Sequence, residues 1–274
     1  MSDHRPNPDE NEPSPGESIL ASGSLALGLT LSSIQLTQFD RFQAELLDWN
    51  ERMNLTAITR PSEVQIRHFL DSLTVLAAIP GASNPAETRR RIVDVGAGAG
   101  LPGIPLAIAL PRSHVVLVEA TQKKCRFLEH AIATIGLNNV EVVCGRAEEV
   151  AQEALLRATF DDAVVRALAP LATLVELSVP FLRVGGRLYA MKKLGIDAEI
   201  DAARLAVTLV GGRLVSAVIV TVPILDEPRQ IVVVEKVKPT PHDYPRRDGL
   251  PAKSPLGSKP TRPSGMTKPA QVRG

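Results

Sequence analysis

Apolar positions recur along this chain with two different periods, and the change of period divides it. From Leu36 through Phe39, Phe42, Leu46, Trp49 and Met53 they fall three or four residues apart, which puts one apolar stripe on a helix. Ser32 stands where an N-cap belongs, and Gln35 where it closes a capping box. A second helix is expected after Pro61, with Val64, Phe69, Leu70, Leu73 and Leu76 inside. A short apolar β-run from residue 91 carries an acidic residue, Asp94, at its end, and beyond it further β-runs (114–119, 140–144, 162–166, 187–191) alternate with helical patterns (122–135, 171–181, 197–209). That alternation predicts parallel β-α-β units, and parallel strands read as near-continuous apolar runs. Two late β-runs, 213–222 and 230–237, have only residues 223–229 between them and suit an antiparallel hairpin. The expected fold class is therefore α/β, a Rossmann-like doubly wound sheet over 88–238. An N-terminal helical cap is expected over 21–80, a disordered leader over 1–20 and a basic, Pro-rich tail over 239–274.

Candidate chemistry gathers where the first strand ends. Asp94-Val95-Gly96-Ala97-Gly98-Ala99-Gly100-Leu101-Pro102-Gly103 carries a carboxylate and then breaks into alternating glycines before an apolar helix. A strand, a glycine turn and a helix start let backbone N–H groups approach a ligand closely. A pyrophosphate would be repelled by Asp94, whereas the ammonium and sulfonium of S-adenosylmethionine would be attracted. The overlapping G-x-G-x-x-G keeps a nicotinamide-dependent oxidoreductase as a rival reading. A doubly wound sheet ending in an antiparallel hairpin is the usual architecture of class I S-adenosylmethionine-dependent methyltransferases, which agrees with the charge argument.

In such a sheet the ligand crosses the carboxyl ends of the strands. Glu119, ending the second strand, is placed to accept from ribose hydroxyls, or is simply an exposed strand-end acid. After the third strand, Ala147 and Glu148 could reach an adenine edge; Glu148 could equally be a first-turn acid favouring the helix dipole. Arg166 ends the fourth strand, where it would meet the donor carboxylate or the substrate, or form a strand-end salt bridge. No Asn/Asp-Pro-Pro-aromatic run follows, and neither Cys125 nor Cys144 sits in a nucleophile context. The target atom should then be nucleophilic without covalent activation. Guanine N7 has a lone pair and no proton, so its methylation needs positioning and no general base.

Composition adds a little. Net charge is +1, but residues 1–17 hold five acids against one Arg, and from Lys238 onward eight Lys/Arg face two Asp. That basic end is either a solvated terminus or a phosphate-seeking arm. Aromatic residues make up only 3% of the chain, against a base-stacking sheet. The two cysteines have neither metal spacing nor scaffold density, so both are read as packing residues in a reducing cytoplasm. No secretory signal or membrane span is visible. None of the five histidines has metal spacing; His68, beside Arg67, is read as a structural or RNA-facing side chain.

The whole pattern resembles the bacterial GidB/RsmG family, which methylates guanine N7 in small-subunit ribosomal RNA. The resemblance rests on Trp49-Asn50-Glu51-Arg52-Met53-Asn54-Leu55-Thr56, on Arg67-His68-Phe69-Leu70-Asp71-Ser72-Leu73 and on the glycine turn through Pro105. It continues through Arg126-Phe127-Leu128, Arg146-Ala147-Glu148-Glu149 and Arg166-Ala167, and ends on residues 244–256, which open Tyr244-Pro245-Arg246-Arg247. It implies S-adenosylmethionine as cofactor and a guanine in the 530 loop of 16S rRNA as target, within the small subunit or its precursor and with no obligate protein partner. It also implies donor contacts at Gly96, Leu101, Ala147, Glu148 and Arg166, to which Asp94, Gly98 and Glu119 are added from the turn itself. Arg67, His68, Arg246, Arg247 and Lys253 become RNA-binding candidates. The pair Glu119-Ala120 departs from a fixed family pattern. Two further rivals are a small-molecule methyltransferase, disfavoured by the lack of aromatic substrate walls, and a ribosome-assembly factor with a vestigial donor pocket.

Overall fold

The structure, a computed structural model, describes residues 18–82, 84–85, 87–166 and 169–257. The leader expected over 1–17, Ala167 of the Arg166-Ala167 match and residues 258–274 of the tail lie outside the described residues.

Helices come first. α1 (Ile19–Ala26) opens on Ser18, whose hydroxyl accepts from the Ala21 N–H, and it buries Leu20. Residues 18–20, assigned by sequence to the leader, belong to this helix and its cap instead. α2 (Ser33–Met53) begins with the capping box of Ser32 and Gln35 and ends at Asn54 in the left-handed region (φ 52°). Its buried face stacks Phe42 on Phe69 and sets Phe39 tilted against the same ring, with centroids 5.2 Å apart in both pairs. The stretch after Pro61 is helical but not uniform. α3 (Pro61–Val64) widens into a π-helical turn over Gln65–Leu70 and re-tightens as α4 (Asp71–Leu73) and a 3-10 turn. Such widened turns free backbone carbonyls and are frequent at functional sites.

The sheet has seven strands: β1 (Arg91–Val95), β2 (His114–Glu119), β3 (Val140–Cys144), β4 (Phe160–Val165), β5 (Leu182–Lys192), β6 (Gly212–Val220) and β7 (Arg229–Lys236). Their order is β3-β2-β1-β4-β5-β7-β6, with β7 inserted antiparallel between β5 and β6. Alternate residues feed two apolar layers. Ile92, Val115 and Leu117 face α5 (Gly103–Ala109), α6 (Gln122–Ile135) and the cap; Val93, Val116 and Ala163 face α7 (Ala147–Val150), α8 (Leu171–Ser178) and α9 (Asp197–Leu209). β5 begins at Leu182 rather than at 187. The parallel half and the hairpin are otherwise as the apolar pattern predicts.

Two expectations are overturned. Cys125 and Cys144, read as separate packing thiols, are joined in a disulfide. Parallel pairing puts Glu119 opposite Cys144, and the first turn of α6 brings Cys125 back over those strand ends. The premise for a reducing compartment falls with that pairing. Cross-linking residues 19 apart should stabilise the fold by about 3 kcal/mol through the unfolded chain. Thermal denaturation with and without reductant checks it: the reduced chain should melt lower, and an unchanged midpoint would deny the bond any role.

The second correction concerns the tail. Through Gly257 it is neither a solvated end nor a free arm but a strap laid over α7 and α8, with a short helix α10 (Leu250–Lys253). Arg157 donates to the Thr240 and Pro241 carbonyls, Thr173 Oγ1 to that of Pro251, and Glu148 accepts from the Gly249 N–H.

Candidate active site

The glycine turn closes the carboxyl edge of β1. Gly96 N–H and Ala97 N–H both donate to the Val118 carbonyl, at 2.8 and 3.0 Å, tying the turn to β2. Gly96 adopts φ +76°, and a Cβ built there meets no atom within 4 Å, so a side chain would stand in open space above the strand ends. Gly103 is required for the opposite reason: a Cβ would come within 2.8 Å of Asp94 Oδ2 and 2.2 Å of Leu117. That close approach lets Asp94 Oδ2 accept from the Gly103 N–H at 2.8 Å, at the start of α5.

Asp94 Oδ1 is buried and has no partner among the described residues. Burial, the largest cause, and Glu119 raise the Asp94 pKa to about 7, against the lowering effects of the Gly103 N–H and Arg166. Glu119 has both oxygens engaged: Oε2 accepts from Gly98 N at 2.9 Å and Oε1 from Thr121 N at 2.8 Å. It is buried, so the exposed strand-end alternative does not hold.

A cavity of about 250 Å³ lies over these strand ends, lined by Val95, Gly96, Glu119, Gly145, Ala147, Glu148 and Ala169 among others. Four of the expected donor residues (Gly96, Glu119, Ala147, Glu148) thus share one wall. Asp94, Gly98 and Leu101 are not among the lining residues; Asp94 and Leu101 are buried, and Leu101 N–H donates to the Ala97 carbonyl. The pocket fits a donor carrying ribose, adenine and a cation. It offers two carboxylates for hydroxyl or amino groups, the unfilled space at Gly96, and behind the turn a carboxylate oxygen without a partner.

Arg166 faces elsewhere. It lines a second cavity of about 640 Å³ between the cap and the end of the sheet, with Arg67, His68, Asp71, Lys192, Glu199 and Arg229. Its guanidinium donates to Asp71 Oδ2 at 3.0 Å and, at 3.4 Å, to the Arg67 and His68 carbonyls of the π-helical turn. The other Asp71 oxygen is paired with Arg229. The salt-bridge alternative for Arg166 is what the structure shows, and the bridge spans cap and sheet. His68 is held by Thr56 Oγ1 at 2.7 Å from Nε2 and the Arg67 carbonyl at 3.2 Å from Nδ1. Burial, with help from Arg166, lowers its pKa to about 4, so it is neutral at physiological pH. Arg67 is exposed on the rim and pairs with Asp226.

The C-terminal basic candidates separate. Arg246 corrects its expectation as a phosphate grip: its guanidinium forks onto Glu176, at 2.8 Å to Oε1 and 2.6 Å to Oε2, and also donates to the Ser254 carbonyl. Arg247 and Lys253 are exposed. Sequence reasoning assigned no role to Lys192, Glu199, Glu176 or Arg229, and named Asp71 only within a matching segment. A lysine closing a strand and a glutamate opening a helix carry no signal until the sheet places them together.

Sheet order, glycine turn and strand-end pocket together define a class I S-adenosylmethionine-dependent methyltransferase. The family model described as rRNA small subunit methyltransferase G (GidB) matches residues 35–227. Ribosomal RNA small subunit methyltransferase G of Dehalococcoides mccartyi strain CBDB1 is 48% identical over 86% of this chain and 98% of its own length. The protein of that name from Roseiflexus castenholzii is 45% identical over 84% and 95%. The chain belongs to this family. A looser likeness runs to the solved fibrillarin of Aeropyrum pernix with natively bound S-adenosyl-L-methionine, at 18% identity and a TM-score of 0.42, covering 53% of this chain and 66% of that one.

Proposed function

We propose that the chain transfers the methyl group of S-adenosylmethionine to N7 of a guanine in the 530 loop of 16S rRNA, on the small subunit or its precursor; a cytoplasmic location rests on that substrate and not on the cysteines. Methylation of small-subunit rRNA follows from the family; the atom and the loop are our reading. The observation that carries it is the junction of the two cavities at Ala169. Ala169 lines the smaller, carboxylate-walled cavity, and its carbonyl accepts from Lys192, a wall of the larger, cation-rich one.

When bound, the donor supplies an electrophilic methyl on sulfur. The remaining work falls to this chain's own residues. Glu119 and Glu148 bind and orient, and the glycine turn admits the ligand close to the backbone. Arg67, Arg166 and Arg229 give the larger cavity a positive field suited to RNA. The one histidine of that cavity is neutral but has both ring nitrogens engaged, so it is not poised to take a proton. An atom that carries a lone pair and no proton asks no base of this cavity, and catalysis is then positioning.

The test is methyl transfer to small subunits from cells lacking the gene, with borohydride–aniline cleavage locating any N7-methylguanine. One new cleavage in the 530 loop is expected. Gly96→Leu, which fills the space at the turn and strains a positive φ, should abolish labelling while RNA binding persists. Donor binding without RNA labelling would favour the small-molecule or vestigial reading, and no donor binding would sink the proposal.

A further inference from the structure

We infer that Glu199 is the residue that recognises guanine in the larger cavity, by accepting hydrogen bonds from the N1–H and N2 amino group on the Watson–Crick edge. The inference rests on the N7 reading above and names how the base is chosen.

Two carboxylates line this cavity. Asp71 is committed on both oxygens, one to Arg166 and one to Arg229. Glu199 is not. Its Oε1 accepts from the Leu171 N–H at 2.6 Å and from Lys192 Nζ at 2.7 Å, and neither bond uses Oε2. Among the described residues Oε2 is thus left for the cavity that Glu199 lines. Lys192, nearly buried, is itself fixed by the Ala169 carbonyl at 2.6 Å. The carboxylate therefore belongs to a braced group joining β5, α9 and the start of α8. Its position is set before a base arrives, which lowers the ordering cost of recognition.

The chemistry fits guanine and rejects adenine. Guanine presents two adjacent N–H donors on that edge, where adenine places a bare N1 acceptor against which a carboxylate is repelled. The edge also lies away from N7, so the base can be held there while N7 faces the donor. In the transfer the N7 lone pair forms the new N–C bond, the C–S pair leaves with sulfur, and no proton moves. The purine becomes cationic, and its N1–H and amino protons become more acidic. A carboxylate already bonded to them holds them more tightly in the transition state than in the ground state, so Glu199 should act on turnover as well as on choice.

Glu199→Gln is the variant to make, because its amide oxygen can keep the bonds from Leu171 and Lys192 while an NH2 group replaces Oε2. Methyl transfer by wild type and variant would be measured on small subunits carrying guanosine or inosine (which lacks the N2 amino group) at the target, beside calorimetric donor affinity and thermal midpoint. On guanosine the variant should be slower by about tenfold to a hundredfold with donor affinity unchanged, and its midpoint, lowered by the loss of the charge that pairs Lys192, should stay well above the assay temperature. Inosine should slow the wild type by about tenfold and the variant much less. Equal rates for variant and wild type on guanosine would overturn the inference while leaving N7 methylation standing. A variant that loses the same factor on both bases, or a wild type indifferent to inosine, would overturn it too by making Glu199 a brace only. No N7-methylguanine with wild type would overturn this inference and the function beneath it.

Discussion

An Arg246→Ala chain is expected to lose about 3–5 kcal/mol of folding stability, because the substitution strands a buried charge. Glu176 is 0% exposed, and the Arg246 guanidinium covers both of its oxygens while the Arg246 backbone N–H donates to Oε1 at 2.9 Å. Without the cation that carboxylate stays fully buried with one backbone N–H as partner. The loss reads out as a lower midpoint in urea, with the strap released from α8. Replacing both partners with apolar residues of similar volume, Arg246→Met with Glu176→Leu, should restore most of the stability, since a buried pair is dear to break but near neutral to replace. The same variants separate support from RNA contact. Arg247→Ala should leave the midpoint alone and reduce the salt dependence of RNA binding by about one contact, whereas Arg246→Ala should do the reverse. If Arg246→Ala melted like the wild type, the Glu176 pair would be irrelevant to the strap.

That contrast marks where the sequence was legible. Residues 244–256 are poor in apolar side chains, and nothing in their local pattern says that they pack. Beside the packing of Tyr244 and Leu256, what fastens the strap is a set of polar bonds to distant side chains: Glu148, Arg157, Thr173 and Glu176. Such bonds have no period. The same holds for Asp71, whose partners Arg166 and Arg229 come from two different strand ends. By contrast β2 and α6 were readable to the residue, since each buries a continuous run or a clean stripe. The glycine turn was readable because backbone geometry restricts which residues can stand there. The cysteine pair fell between these cases: 19 residues of separation say nothing until Glu119 and Cys144 are known to lie opposite one another. The strand-end cavity at Gly96, Glu119, Ala147 and Glu148 could thus be placed from the chain alone, while the walls of the larger cavity needed the cap and the sheet end brought together.

Asp94→Asn should weaken binding of S-adenosylmethionine by tenfold or more while leaving the fold as stable as before or more so above neutral pH. The two effects share one cause. The carboxyl is fully buried, one oxygen accepts from the Gly103 N–H and the other has no partner, so burial raises its pKa to about 7. In the unfolded chain it would titrate near the ordinary value of about 3.9. Between those values the folded state binds the extra proton, so this group's contribution to stability is present at low pH and is lost as pH rises through about 7. Asparagine can keep the bond from Gly103 and never has to ionise, which removes that cost, on the order of 2 kcal/mol at pH 8 after allowance for relaxation. Donor binding runs the other way. A cation arriving at the turn favours the carboxylate, so the advantage of wild type over Asp94→Asn should grow as pH rises from 6 to 8. Taking the ratio of the two affinities at each pH cancels the titration of the donor's own amino group. A ratio that stays flat across neutrality would mean that the charge of Asp94 does not act on the donor, and that the residue serves only to hold the start of α5.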